Sequence, residues 1–291
     1  MLGVLSVPRS FLRDEYDSSV NSIEESRGFA VENEGATLVC REVCGQDVCA
    51  DAVPIVCVHG ACVDKTFFDG FACELGRIRR VITYDRRGSG ESSVAADSSY
   101  DVAAQAEDLA AVIERVGTPC DILAHSAGAL MALELLGARP ELVRRAILHE
   151  PAVSGEGVGL GTSPVVLKMI EAGKISRALM LFLNAIGDSD PEAPKLTPAE
   201  VEHALRNGRC FMANEYATNM TYVPDWEKAR ASGSVAAVCL GELSIGTPRE
   251  EGTRAAAALL GCPIVTLPGA HNGLRDRPCA AAQAIRDILD S

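Results

Sequence analysis

Short runs of uninterrupted apolar residues alternate along the chain with longer stretches in which apolar positions recur at helical spacing. Pro54–Val58 (PIVCV) closes on His59-Gly60, and Arg80–Tyr84 (RVITY) ends at Asp85. Cys120–Ala124 runs into His125-Ser126-Ala127-Gly128, and Ala146–Leu148 ends in His149-Glu150-Pro151. Val235–Leu240 and Pro263–Leu267 follow, each closed by Gly or Pro. Such short apolar runs bounded by turn residues suit parallel strands buried on both faces. Between them, Val102–Val116 gathers Leu109, Val112, Ile113 and Val116 on one helical face, and Ala127–Leu136 is a strong helix former that stops at Gly137. Pro278–Leu289 is amphipathic and opens on proline, a favoured first-turn residue. The alternation predicts an α/β fold, a mostly parallel sheet flanked by helices. Upstream, Gly28–Glu34 and Ala36–Val43 predict a hairpin around Asn33-Glu34-Gly35.

One stretch breaks the alternation. From Ser154 to about Ser234 there is no convincing strand, but Pro164–Ile186, Pro198–Asn207 and Arg209–Met220 have helical patterns. A segment of that length is no simple loop, and it predicts a helical cap over the strand ends. The glycines Gly155, Gly157, Gly159 and Gly161 predict a flexible linker into it, because a phosphate-cradling loop would need a following Lys-Ser/Thr and a preceding strand. The expected organisation is an N-terminal arm (1–27), a core in two parts (28–153 and 234–291) and a helical cap (154–233).

Composition narrows the class. A chain of 291 residues with 47% hydrophobic positions can bury a sizeable core. No run of eighteen uncharged apolar residues suggests a membrane span. The formal net charge of -13 argues against a nucleic-acid partner, which needs clustered Lys and Arg. Eleven cysteines, an odd number spread widely, make a poor disulfide framework. Cys57, Cys120 and Cys239 sit in apolar runs where a thiol acts as a small hydrophobe. Cys40, Cys44 and Cys49 cluster without a histidine or fourth cysteine nearby, so no metal site is expected. The opening MLGVLSVPRSFLRDEYD has neither the basic region nor the small-residue cleavage site of a signal peptide. These features predict a reducing, cytoplasmic compartment.

The candidate chemistry centres on Ser126. Asp121–Gly128 has the form strand, tight turn, helix, in which small neighbours (Ala124, Ala127, Gly128) let a serine occupy a sharp turn at a helix N-terminus. A serine hydroxyl needs a base, and His271 lies on the loop Pro268-Gly269-Ala270-His271-Asn272-Gly273 after the last predicted strand. The amides of Ala61 and Ala127 are the expected oxyanion donors.

With HGA after the third predicted strand, YDRRGSGES after the fourth, AHSAG after the fifth and PGAHNG after the eighth, the chain resembles the α/β-hydrolase superfamily over residues 28–151 and 234–290. The resemblance implies an eight-stranded sheet with a cap inserted after the sixth strand, a Ser-acid-His triad and no cofactor. A Ser at the elbow speaks against the epoxide hydrolase and haloalkane dehalogenase branches. The acid departs from the pattern, because Ser244 stands where superfamily members commonly carry Asp. Glu150 is the first candidate to replace it and Glu242 the alternative; a site with no working acid is the third possibility.

The remaining candidates have structural readings. His125 and His149 are expected to pack in the core, His59 to brace loop backbone, and His203 to lack a partner. Asp85-Arg86-Arg87-Gly88 is expected to stabilise a turn. Phe182, Phe211, Tyr216, Tyr222 and Trp226, with Met169, Met180, Met212 and Met220, should mostly pack the cap, a few lining an apolar pocket. Cys62 adjoins the proposed oxyanion loop, but serine is the expected nucleophile. The expected activity is a serine hydrolase acting on a small, largely apolar ester or thioester. The alternatives are a C–C bond hydrolase, a cofactor-free lyase or oxygenase, or a non-catalytic binding protein. The partner is a small molecule, and the oligomeric state is open.

Overall fold

A computed structural model describes residues 25–48, 52–187 and 190–291, so the expected N-terminal arm and Cys49 lie almost wholly or wholly outside the described residues. Eight principal strands form one sheet: β1 (Glu25–Asn33), β2 (Ala36–Cys44), β3 (Ile55–Val58), β4 (Val81–Tyr84), β5 (Cys120–His125), β6 (Val143–His149), β7 (Val235–Gly241) and β8 (Ile264–Leu267). Their order is β1-β2-β4-β3-β5-β6-β7-β8, and a two-residue strand, Ser93–Val94, pairs with β2 as a ninth. From β4 and β3 through β8 neighbouring strands are parallel; β1–β2 and β2–β4 are antiparallel. The β1–β2 hairpin pairs Asn33 with Ala36 across Glu34 and Gly35, which both take positive φ (43° and 78°). That is the two-residue turn whose twist matches paired strands, and it places the hairpin where the sequence predicts it.

The central strands are buried on both faces because helices cover both. Val102–Val116 and Gly128–Ala138 pack Leu109, Val112, Leu130 and Leu133 against one side. Asp69–Gly76 and Pro278–Asp290 pack Phe71, Leu75, Ile285 and Leu289 against the other. Every residue of β3 and β5 is buried, including Asp121, whose carboxylate accepts from Arg144 Nε at 2.8 Å. The expected α/β architecture is present, a mostly parallel sheet between two helical layers.

Between β6 and β7 the described residues form five helices: Pro164–Glu171, Ile175–Ile186, Pro198–Asn214, Tyr216–Thr221 and Trp226–Ala231. They build a small core of their own from Val166, Leu179, Phe182, Phe211, Met212, Tyr216 and Met220, and Cys62 from the loop after β3 joins it. Three expectations need correction. The helix expected over 164–186 is two helices, because Gly173 at φ 69° ends the first and returns the Lys174 amide to Met169 O at 2.7 Å. The break expected at Gly208 is absent, and the helix runs through it to Asn214. Gly208 is a packing position, since a Cβ there would lie 2.7 Å from Leu179 Cδ1 of the neighbouring helix. The run Gly155–Gly161, expected as a flexible linker, is instead tied to the helical segment by hydrogen bonds, with Gly157 and Gly159 buried and Gly155 and Gly161 exposed. Gly159 and Gly161 amides donate to Tyr222 O and Met220 O at 2.9 and 2.8 Å, and Trp226 Nε1 donates to Gly157 O at 2.7 Å.

Candidate active site

Ser126 follows β5 directly, with φ at 54°. A non-glycine residue holds such a conformation only where its surroundings over-determine it. Here the Ser126 amide donates to His149 O at 2.9 Å, and its carbonyl accepts from Ala129 N and Ala152 N at 3.1 and 3.3 Å. Space is the second constraint. A Cβ on Gly60 would lie 2.9 Å from Ser126 Cβ, and one on Gly128 would lie 2.5 Å from Val58 O, so the loop after β3 and the following helix approach closely because both positions are glycine.

One strand over, Glu150 repeats the device. It follows β6 with φ at 43°, and its amide donates to Cys239 O on β7 at 3.0 Å. The carboxylate is buried; Oε1 accepts from Gly241 N at 2.8 Å, and Oε2 lies 2.6 Å from His271 Nδ1. A carboxylate can only accept, so Nδ1 carries the proton and Nε2 of the neutral ring is an acceptor. Nε2 lies 3.1 Å from Ser126 Oγ. The serine, imidazole and carboxylate thus form one continuous line.

Burial would push the Glu150 carboxyl up. The hydrogen bond from His271, the charges of His149 and His271, and a hydrogen bond from Ser244 outweigh it and hold the group at about 2. Ser244, at the position without the customary Asp, therefore supports the carboxylate supplied from β6. Glu242 is elsewhere: it is exposed, and Oε1 accepts from Gly269 N at 3.1 Å, bracing the loop that carries His271.

Ser126 opens into a cavity of about 540 Å³. Its walls include Ala61, Cys62 and Ala127 beside the serine, and Phe182, Leu183, Ile186, Leu205 and Met220 from the helical segment. Of the five aromatics singled out in that segment, Phe182 reaches the cavity; Phe211 and Tyr216 pack behind it at ring separations of 5.5 and 5.7 Å. A larger, open depression along Ser154–Gly161 and Glu251 does not include Ser126. Burial raises the Cys62 thiol to about 12, further favoured by Glu215 and opposed by Arg86, so it is protonated near neutral pH.

The other histidines support this line. His125 stacks on Phe67 at 4.6 Å, lies 4.5 Å from the His271 ring, and its Nδ1 meets His149 Nδ1 at 3.1 Å. Burial first, then the charges of His271, His149, Arg249 and Arg275, keeps His125 well below the ordinary imidazole range. His59 Nδ1 lies 2.9 Å from Gly60 O and its Nε2 accepts from Arg86 N at 3.0 Å, the backbone-bracing role expected of it. His203, expected without a partner, has one: Nδ1 lies 3.4 Å from Asp64 Oδ2. Asp85-Arg86-Arg87 is a buried network. Asp85 accepts from Lys65 N and Glu91 N, both at 2.8 Å, Arg86 pairs with Glu215 at 2.5 Å, and Arg87 pairs with Asp108 at 2.6 Å.

Sequence reasoning missed Arg249, Asn272 and Arg275, which also line the cavity. In TPREEG, Arg249 is one charge among several at a helix start, and nothing in that pattern marks it as facing inward. Among the described residues no group of three or more His, Cys, Asp or Glu is placed to hold a metal ion, and no helix is long and apolar enough to cross a membrane.

A family model described as the alpha/beta hydrolase family matches residues 55–284. The chain belongs to the alpha/beta hydrolase family. Over 122 residues it is 32% identical to the sn-1-specific diacylglycerol lipase ABHD11 of Mus musculus, a match spanning 40% of this chain and 39% of that protein. Over 242 residues it is 24% identical to the uncharacterized hydrolase YraK of Bacillus subtilis, covering 81% and 88% of the two chains. Among solved structures, the esterase RhEst1 from Rhodococcus superposes with a TM-score of 0.66 at 23% identity, covering 91% of this chain and 98% of that one. This last likeness is one of fold.

Proposed function

We propose that the protein is a serine hydrolase that cleaves a small, largely apolar ester or thioester through an acyl-enzyme on Ser126. The observation that carries this reading is His271 set between Ser126 Oγ (3.1 Å) and Glu150 Oε2 (2.6 Å) at the wall of an apolar cavity. Ser126 Oγ attacks the carbonyl carbon as its proton passes to His271 Nε2. The oxyanion is held by the amides of Ala61 and Ala127. His271 returns the proton to the leaving oxygen or sulfur, and the acyl group stays on Ser126. Water then enters; His271 takes its proton, hydroxide attacks the acyl carbon, and Ser126 recovers its proton as the acid departs. Glu150 orients the ring and stabilises the imidazolium that forms twice in the cycle.

The helices between β6 and β7 act in this reading as a cap that supplies the apolar wall of the acyl site. Relatives with lipase and hydrolase names support the reaction class. The missing Asp gave weight to a C–C bond hydrolase, lyase or oxygenase, and the buried Glu150 carboxylate on His271 supports the hydrolytic reading. Ten described cysteines are free thiols, which supports a reducing compartment, the cytoplasm.

Labelling with a fluorophosphonate probe tests the reading. The wild-type chain should label within minutes and Ser126→Ala should not label at all, with a panel of p-nitrophenyl esters losing turnover by a factor of about 10⁴ or more in the variant. A folded wild type that refuses the probe refutes the serine-hydrolase reading. Labelling that persists in Ser126→Ala refutes the choice of nucleophile.

A further inference from the structure

Arg249 stands at the second position of the helix Pro248–Leu260. A cation there faces the positive end of the helix dipole, an unfavourable place unless something else holds it. Two things do. Its Nε lies 3.4 Å from Glu150 Oε2, the same oxygen that accepts from His271 Nδ1. Its Nη2 donates to Ile186 O and, at 3.1 Å, to Gly187 O, at the C-terminal end of the helix Ile175–Ile186. Those carbonyls are the ones a helix leaves without intrahelical partners, and they form the negative end of its dipole. Ile186 and Gly187 also line the cavity, as Arg249 does.

We propose that Arg249 is a positioning residue that shares Glu150 Oε2 with His271 and fastens that carboxylate to the end of the Ile175–Ile186 helix, so that cavity wall and proton relay are set by one guanidinium. The proposal rests on the serine-hydrolase reading, and it assigns Arg249 two separable effects. Its charge stands against the carboxylate that orients His271 and so holds the proton relay in line. Its planar set of donors holds the cavity wall, which governs substrate binding.

The groups that face His271 from the surrounding elements bear on the first effect. Ser126 and Glu150 bond it directly. His125, the last residue of β5, is kept well below the ordinary imidazole range chiefly by burial, and His149 of β6 lies 6.3 Å away ring to ring. Arg275 lies in the next turn of the His271 loop and pairs with Asp276, at 2.7 Å. Glu242 is engaged with the Gly269 amide. Among the described residues the ion-pair carboxylate of Arg249 is Glu150, so Arg249 is the cation that shares an oxygen with His271.

The test compares wild type, Arg249→Met and Arg249→Lys by the fluorophosphonate labelling rate and by KM for a p-nitrophenyl ester. Removing the cation leaves the carboxylate to His271 alone. In Arg249→Met the labelling rate should therefore fall about tenfold, and KM should rise about tenfold. Lysine keeps the charge as a point and loses the planar geometry. Arg249→Lys should therefore keep most of the wild-type labelling rate while KM still rises. A thermal melt confirms that each variant is folded at the assay temperature, and the lysine variant preserves the comparison if the methionine variant melts too low. An unchanged labelling rate in Arg249→Met, or a rate lowered as far in Arg249→Lys, overturns the proposal. Failure of the wild type to label strikes the serine reading instead, so the two failures are distinguishable.

Discussion

Two arginine–carboxylate pairs in this molecule have similar chemistry and different surroundings. Arg87 and Asp108 are both 1% exposed and meet through two parallel bonds, Nε to Oδ2 at 2.6 Å and Nη2 to Oδ1 at 2.7 Å. Each charge is largely spent on the other, which is what burial demands. At the cavity the arrangement is unequal. Glu150 is as deeply buried as Asp108, but its Oε2 serves both Arg249 and His271, and Arg249 reaches the cavity surface. A carboxylate whose charge is matched by one fixed cation serves the fold. A carboxylate shared with a group that gains and loses a proton has an interaction energy that changes as the proton moves, and that change is available to a reaction.

The comparison breaks first at Glu150. If the shared carboxylate serves chemistry, Glu150→Gln should fold and lose turnover by about 10³–10⁴, because an amide can hold the ring in the wrong tautomer and cannot stabilise the imidazolium. Glu242→Gln, altering a group bonded to the Gly269 amide, should stay within about threefold of wild type on p-nitrophenyl esters. Loss in Glu242→Gln with survival of Glu150→Gln would reverse the assignment.

Arg87→Met should show the opposite signature. It leaves Asp108 buried with Asn33 Nδ2 as a remaining partner at 2.9 Å, and removing one member of a buried pair costs about 3–5 kcal/mol. Urea unfolding should report a loss of that size while the folded fraction keeps near-normal turnover per labelled serine. A variant as stable as wild type but inactive would place Arg87 with the cavity groups and dissolve the contrast.

Which parts of this were legible in sequence follows from how local each signal is. The buried strands were, because a run such as IVCV has no polar residue to turn outward, and the Ser126 turn was, because the small residues that permit it are its neighbours in the chain. The hairpin turn at Glu34-Gly35 was legible for the same reason. The resemblance left the acid open between Glu150, Glu242 and none, because β6 and β7 are parallel neighbours, and only their register brings one carboxylate to the imidazole. Arg249 was not legible, since its partners Glu150 and Ile186 come from two other elements. The helical segment was misjudged at its glycines. Gly173 ends a helix through its own φ, whereas Gly208 is inside one because Leu179 needs the space, a cause that lies in another helix.

The smallest effect sharpens the comparison through pH. The Glu150 carboxyl lies at about 2 in the fold against an ordinary value of 4.5. A carboxyl held below its unfolded value adds stability that is complete above 4.5 and drains away as pH falls toward 2, because the unfolded chain takes up the proton first. Glu150→Gln has no such proton to bind. Urea unfolding followed from pH 6 down to pH 2.5 should therefore show wild type losing stability more steeply than Glu150→Gln below about pH 4.5, by up to one proton, or about 1.4 kcal/mol per pH unit. Above pH 5 the two slopes should coincide. Parallel slopes through the acid range would mean that sharing Oε2 between Arg249 and His271 leaves the carboxyl no more anionic than one in water, and the distinction between the two pairs would then rest on geometry alone.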